Sequence, residues 1–132
     1  MKKIRGKNNT AGITLLSLDT STEACSVALQ YQGQVTEEFK TGIRHSEIIL
    51  SMVEKILIDN GLVVSQVDCV AFGRGPGMFT GLRIGAGVVQ GIAFASDLPV
   101  LPISSLAILA QGQKSNKVMS ALDARMNQVY WG

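Results

Sequence analysis

GRGPGMFTGLRIGAG, residues 73–87, holds six of the chain's fourteen glycines. It joins an apolar run at 67–72 to a longer segment with helical spacing, so its reading decides the architecture. The familiar phosphate loops do not fit. A P-loop ends in Gly-Lys-Ser/Thr, and here the chain reads Gly81-Leu82-Arg83. A dinucleotide fingerprint needs a third glycine three residues after the second, and those positions are Met78 and Thr80. Two physical roles remain. Gly75-Pro76-Gly77 makes a rigid turn that delivers the chain to a helix start, where free N–H groups can hold an anion. Gly77, Gly81 and Gly85 are spaced by four, as are Gly87 and Gly91, so each series makes a groove on a helix. Glycine inside a helix costs roughly 1 kcal/mol against alanine, and close approach of another backbone is the reason to accept it. The approaching element is either the sheet beneath or a helix of a partner subunit.

Working outward, residues 13–18 form an apolar strand that ends in the polar turn Asp19-Thr20-Ser21-Thr22. Residues 24–31 alternate as a strand, and Gln32-Gly33 is a tight turn into a third strand, 34–40. The period then becomes helical. Ile48, Ile49, Met52, Val53, Ile56 and Leu57 form one stripe, with Ser46 as the expected cap and Asn60-Gly61 as the stop. A strand at 67–72, a helix at 79–95, a strand at 99–103 and a helix at 104–110 capped by Ser104 or Ser105 follow. Strands at 118–122 and 128–131 end the series. The order β-β-β-α-β-α-β-α-β-β predicts a mixed sheet with helices on its faces.

The apolar content of 46 % supports a real core in one domain of 132 residues. The net charge of +2 comes from Lys2, Lys3, Arg5 and Lys7, which leave eight basic against ten acidic groups elsewhere. Residues 1–12 are expected to be a disordered tail. No apolar segment of the secretory type follows the early lysines, and the longest uncharged runs fall short of the roughly 20 residues of a membrane span. Cys25 and Cys69 match no metal or redox spacing and are expected to be reduced and buried in a cytoplasmic protein.

The chain also echoes itself. LLSLDTSTEACSVAL and VMSALDARMNQVYWG each run from an apolar strand through Leu-Asp to a Val-containing strand. The echo marks 117–132 as the start of a second lobe of the same design after a first lobe at 13–112; a lone hairpin cannot bury its own face, so these strands either pack against the first lobe or open a truncated second one.

DTSTEACSVAL, RHSEIIL, GRGPGMFTGLRIGAGVVQGIA and DARMNQVYW, in that order, resemble the TsaB (YeaZ) family of bacterial tRNA threonylcarbamoyladenosine synthesis. The resemblance covers nearly all of the chain after the tail. It implies an actin-like ATPase fold built from ribonuclease-H-like lobes, the first holding a mixed five-stranded sheet flanked by helices. It also implies a non-catalytic assembly subunit. A metal-bearing sister protein, TsaD, transfers the threonylcarbamoyl group to the adenosine beside the tRNA anticodon. A TsaE-like ATPase joins them, tRNA is met only through the complex, and the subunit alone forms homodimers.

The residues agree with that absence of chemistry. Where the sister family carries two metal-binding histidines, this chain reads Pro-Ile-Ser-Ser-Leu-Ala-Ile-Leu from Pro102 to Leu109. His45, the sole histidine, is expected at the helix entry and not as a base. No catalytic residue, metal or cofactor is expected. Asp19, Thr20, Ser21, Thr22, Gly75 and Gly77 are candidates for a vestigial nucleotide site, the simpler role of Asp19 and Thr22 being to satisfy the turn's own N–H groups. Candidate interface residues are Ile48, Ile49, Met52, Val53 and Ile56 on the first helix, with Gly81, Gly85, Gly87, Val88, Gly91 and Ala95 on the second. Two enzymatic alternatives are an actin-like nucleotide enzyme using Asp19, and a peptidase using Ser46 beside His45 on the sister protein. Adjacency in sequence does not make a triad.

Overall fold

The computed structural model describes residues 12–132, so the expected tail falls outside the described residues except for Gly12. The elements are β1 (Leu15–Asp19), β2 (Cys25–Tyr31), β3 (Gln34–Lys40), α1 (His45–Asp59), β4 (Cys69–Gly75), α2 (Phe79–Ser96), β5 (Val100–Ser104), α3 (Ser105–Gln111), β6 (Ala121–Arg125) and β7 (Gln128–Trp131), with a short 3-10 turn at Val64–Gln66. Five strands form one sheet in the order β3-β2-β1-β4-β5, and β6-β7 form a separate hairpin. β1, β2 and β3 pair antiparallel, whereas β4 runs parallel to β1 and β5 parallel to β4. The mixed sheet expected from the element order is therefore present.

Alternation along each strand sorts the two faces. Leu16 and Leu18 of β1, with Cys25, Val27 and Leu29 of β2, are buried beneath α1 and α2. The α1 stripe Ile49, Met52, Val53 and Ile56 and the α2 residues Val89 and Ala93 complete this core. Ser17, Asp19, Ser26 and Ala28 point to the other face and are only half-buried.

Local chemistry explains the ends. Gln32 and Gly33 both have positive φ, the geometry of a tight hairpin turn. Gly61, at φ +67°, ends α1 while the Leu62 N–H reaches back to the Leu57 carbonyl at 2.9 Å, closing a Schellman-type cap. Of the two caps expected from serine, the one at α1 differs and the one at α3 stands in place. The α1 cap residue is Arg44, not Ser46, and it makes no side-chain cap bond. Ser104 caps α3 by position without a side-chain bond. At α1, Arg44 is already extended and its carbonyl accepts the Glu47 N–H at 3.0 Å, so the helix starts before Ser46 is reached. Lys55 ties α1 to β3 through Glu38 at 2.6 Å and to its own next turn through Asp59 at 2.7 Å. The hairpin is held to α3 by the Ser120 hydroxyl, which donates to the Leu106 carbonyl at 2.8 Å.

Candidate functional site

The turn after β1 is the centre of the molecule's polar chemistry. Asp19 Oδ1 accepts the Ser21 N–H at 2.8 Å and the Ser21 hydroxyl at 2.6 Å. A short carboxylate folds back in this way because it offers the turn a backbone partner two residues on. Thr22 Oγ1 accepts the Ala24 N–H at 3.2 Å. The next three bonds leave the turn. Thr20, only 1 % exposed, donates its hydroxyl to the Gly81 carbonyl at 2.7 Å. The Ser21 carbonyl accepts the Met78 N–H at 2.7 Å. The Thr22 carbonyl accepts the His45 Nε2–H at 2.7 Å. Both long helices are thus fastened, at their first turns, to three consecutive residues.

The glycines spaced by four find their partner here. A Cβ at Gly77 would meet the Ser21 carbonyl oxygen, one at Gly81 would overlap the Thr20 carbonyl oxygen, and one at Gly85 would overlap the Thr20 hydroxyl. The groove made by this series is filled by the turn of the same chain. Gly81 and Gly85 are buried there and, contrary to expectation, offer no surface to a partner. Gly75 has φ +95°, a conformation glycine adopts without strain. Gly77 abuts the Ser21 carbonyl, which also takes the Met78 N–H that an anion would need at the helix start.

The half-buried face of the sheet forms the floor of a cleft of about 1150 Å³. Asp19, Ser21, Thr22, Gly73 and Gly77 line one side, and Asp123, Arg125 and Tyr130 of the hairpin line another. Phe39, Ile103, Ile108 and Leu109 make its apolar walls. Asp123 Oδ1 accepts the Arg125 N–H at 2.7 Å, the same two-residue reach that Asp19 makes to Ser21. Each Leu-Asp of the sequence echo ends in a carboxylate that takes an N–H two residues on and lines the same cleft, but the two turns differ in backbone, with Arg125 at φ +64° and Ser21 outside the positive-φ region. Ser105 also lines it, with its hydroxyl buried and without a hydrogen-bond partner. Among the described residues, no three His, Cys, Asp or Glu side chains come close enough together to hold a metal ion.

The outer helical surface differs from the one expected. Ile48, Ile49, Met52, Val53 and Ile56 are all buried, at 8 % exposure or less, because the α1 stripe is consumed by the sheet beneath it. They belong to the core and have nothing left for a partner. Leu50 and Ile58, on the opposite side of α1, are the exposed apolar residues. On α2, Gly87 and Gly91 have open space where a Cβ would stand, and Ala95 is exposed. Val88 is half-buried against the core. Phe94 is 93 % exposed on the same helix, and the Arg83 guanidinium stacks 5.2 Å from the ring centre of the exposed Phe79. Sequence reasoning missed Phe79 and Phe94. Phe94 lies seven residues after Gly87, one helical face along, and that spacing was the available signal.

Cys25 and Cys69 are both buried free thiols. Burial pushes both pKa values up, with Asp19 adding to the shift at Cys25 and Asp68 at Cys69. His45 sits at the helix entry with its Nε2–H given to Thr22, not directed to Ser46.

Comparison with known proteins adds four findings. The family model described as "TsaD: tRNA N6-adenosine threonylcarbamoyltransferase" matches residues 24–132. The tRNA threonylcarbamoyladenosine biosynthesis protein TsaB of Haemophilus influenzae is 54 % identical over 124 residues, which cover 90 % of this chain and 52 % of the relative. The structure of YeaZ from Pseudomonas aeruginosa superposes with a TM-score of 0.85 at 52 % identity, over 92 % of this chain and 59 % of that one. The chain thus spans about half the length of the curated relative it matches. A RuvC from T. thermophilus, in complex with a Holliday junction substrate, is 12 % identical with a TM-score of 0.51, over 75 % of this chain and 69 % of that one. That likeness concerns the fold alone, which is ribonuclease-H-like.

Proposed function

The chain belongs to the TsaB (YeaZ) branch of the family that the TsaD model describes, and from that premise we propose that it is a non-catalytic assembly subunit. Its role is in tRNA threonylcarbamoyladenosine biosynthesis. In this reading it supports a metal-bearing TsaD-like partner during threonylcarbamoyl transfer to the adenosine beside the anticodon. A TsaE-like ATPase joins the pair, tRNA is reached only through the complex, and the location is cytoplasmic. No helix among the described residues is long and apolar enough to cross a membrane.

One observation carries the reading: the outer face of α2, where Phe94 stands almost wholly in water beside the open positions Gly87 and Gly91. Two bare glycines let a second helix approach closely, and an exposed ring supplies the apolar anchor that such contacts need. A partner with the same fold presents matching helices, so a second copy and the TsaD-like protein would compete for this one face. Val88 and Ala95 border it. The turn residues Asp19 to Thr22 support the non-catalytic half of the proposal, since their polar groups hold the fold together.

The test is Gly91→Leu in the full-length protein. Affinity for the TsaD-like partner should fall at least about tenfold, roughly 1.4 kcal/mol, with the circular dichroism spectrum unchanged. Undiminished affinity of the folded variant would refute the docking face. A nucleotide enzyme using Asp19 is the second reading, favoured by the placement of Asp19 and Asp123 in one cleft. It requires saturable ATP binding by the protein without companions, and calorimetry showing none at millimolar nucleotide removes it.

A further inference from the structure

α1 and α2 have no side-chain caps of their own. What fixes their first turns is the turn after β1. Thr20 holds α2 twice over: its hydroxyl donates to the Gly81 carbonyl at 2.7 Å, and its carbonyl and hydroxyl lie against the bare Cα atoms of Gly81 and Gly85. Two residues on, the Thr22 carbonyl holds α1 through His45 at 2.7 Å. The two helix starts also meet at this point, because the His45 ring lies beside Gly81.

We infer that Thr20 and His45 are positioning residues that set α1 and α2 against one another and so shape the outer face on which a partner docks. The inference rests on the docking role proposed above. Neither side chain reaches that face. Thr20 is buried at the inner side of α2, and His45 is turned toward the β1–β2 turn. Their effect is exerted through the helices. The bond from the buried hydroxyl to the Gly81 carbonyl, with the close contacts of Thr20 at Gly81 and Gly85, restrains both the height and the rotation of the α2 start. Three residues of chain then transmit that setting to α1. The same turn lines the cleft through Asp19, Ser21 and Thr22, so the cleft and the docking face share one joint.

Paired substitutions in the full-length protein separate this role from simple packing. Thr20→Val keeps the shape and loses the donor, whereas Thr20→Ser keeps the donor. His45→Ala loses the bond to Thr22, whereas His45→Gln retains an N–H of similar reach. Affinity for the TsaD-like partner is measured for each, with the melting temperature and amide exchange at the first turns of α1 and α2. Thr20→Val and His45→Ala should weaken association about tenfold and speed exchange at both helix starts, while Thr20→Ser and His45→Gln stay within about threefold of the parent; these sizes correspond to one lost hydrogen bond. If Thr20→Val fails to fold, the half-buried His45 pair decides the matter alone. Wild-type affinity in folded His45→Ala, with Gly91→Leu still weakened, overturns this inference and leaves the docking face standing. Wild-type affinity in all variants, Gly91→Leu included, overturns both.

Discussion

The carboxylate of Asp19 lies over the Cα of Gly73 on the neighbouring strand β4, where a methyl group would overlap its oxygens. Asp19 is in turn fixed by its two bonds from Ser21. Gly73→Ala should therefore push the carboxylate off the turn and lower stability by about 1–3 kcal/mol, the range for overpacking a filled site. Urea denaturation of the variant beside the parent measures this, and an unchanged midpoint refutes the close packing of strand and turn.

One helix should give opposite signs for the same substitution. Gly91→Ala adds a methyl group in open space and gains helix propensity, so it should raise stability by roughly 0.5–1 kcal/mol. Gly81→Ala gains the same propensity but drives a methyl group into the Thr20 carbonyl, so it should lower stability by about 2 kcal/mol or more. Thermal melts of the two variants decide it.

Two neighbours in α1 should also separate. Met52 is 1 % exposed and Leu50 is 61 % exposed. Met52→Ala is expected to cost about 2–5 kcal/mol, and Leu50→Ala to stay within about 0.5 kcal/mol. Equal losses would mean that α1 does not turn its Met52 side to the sheet.

The two thiols give a pH dependence. Burial raises both pKa values in the folded state, so the unfolded chain ionises first, near its ordinary value of roughly 8.5. Above that pH the unfolded state holds fewer protons than the folded one, and stability falls as pH rises toward the folded pKa values. The urea midpoint should decline as pH rises above about 8.5, and the Cys25→Ala, Cys69→Ala double variant should decline less. At pH 8 a thiol reagent should label neither cysteine until denaturant is added.

The sequence was informative where a local rule sufficed. Strand alternation in 24–31, the Gln32-Gly33 turn and the Asn60-Gly61 stop all follow from local periodicity or backbone preference, and the structure has them. The spacing of Gly77, Gly81 and Gly85 correctly announced a close approach. It did not announce what approaches, because Thr20 and Ser21 are distant in the chain and only the parallel pairing of β1 with β4 brings them there. The α1 stripe failed as an interface for a related reason. An apolar stripe looks the same in sequence whether it meets a sheet or a partner, and here the sheet takes all of it. The repeated Leu-Asp was readable as a pattern, but its shared cleft depended on where the hairpin packs.

Phe94, with 93 % of its surface in water, links the chain's resistance to heat to its surroundings. Any molecule that covers the ring in the folded state, and leaves the unfolded chain alone, shifts the unfolding equilibrium by mass action. At a hundredfold excess over the dissociation constant the gain is about 2.7 kcal/mol. Its melting temperature is then a property of the mixture, rising with the concentration of whatever settles on that helix.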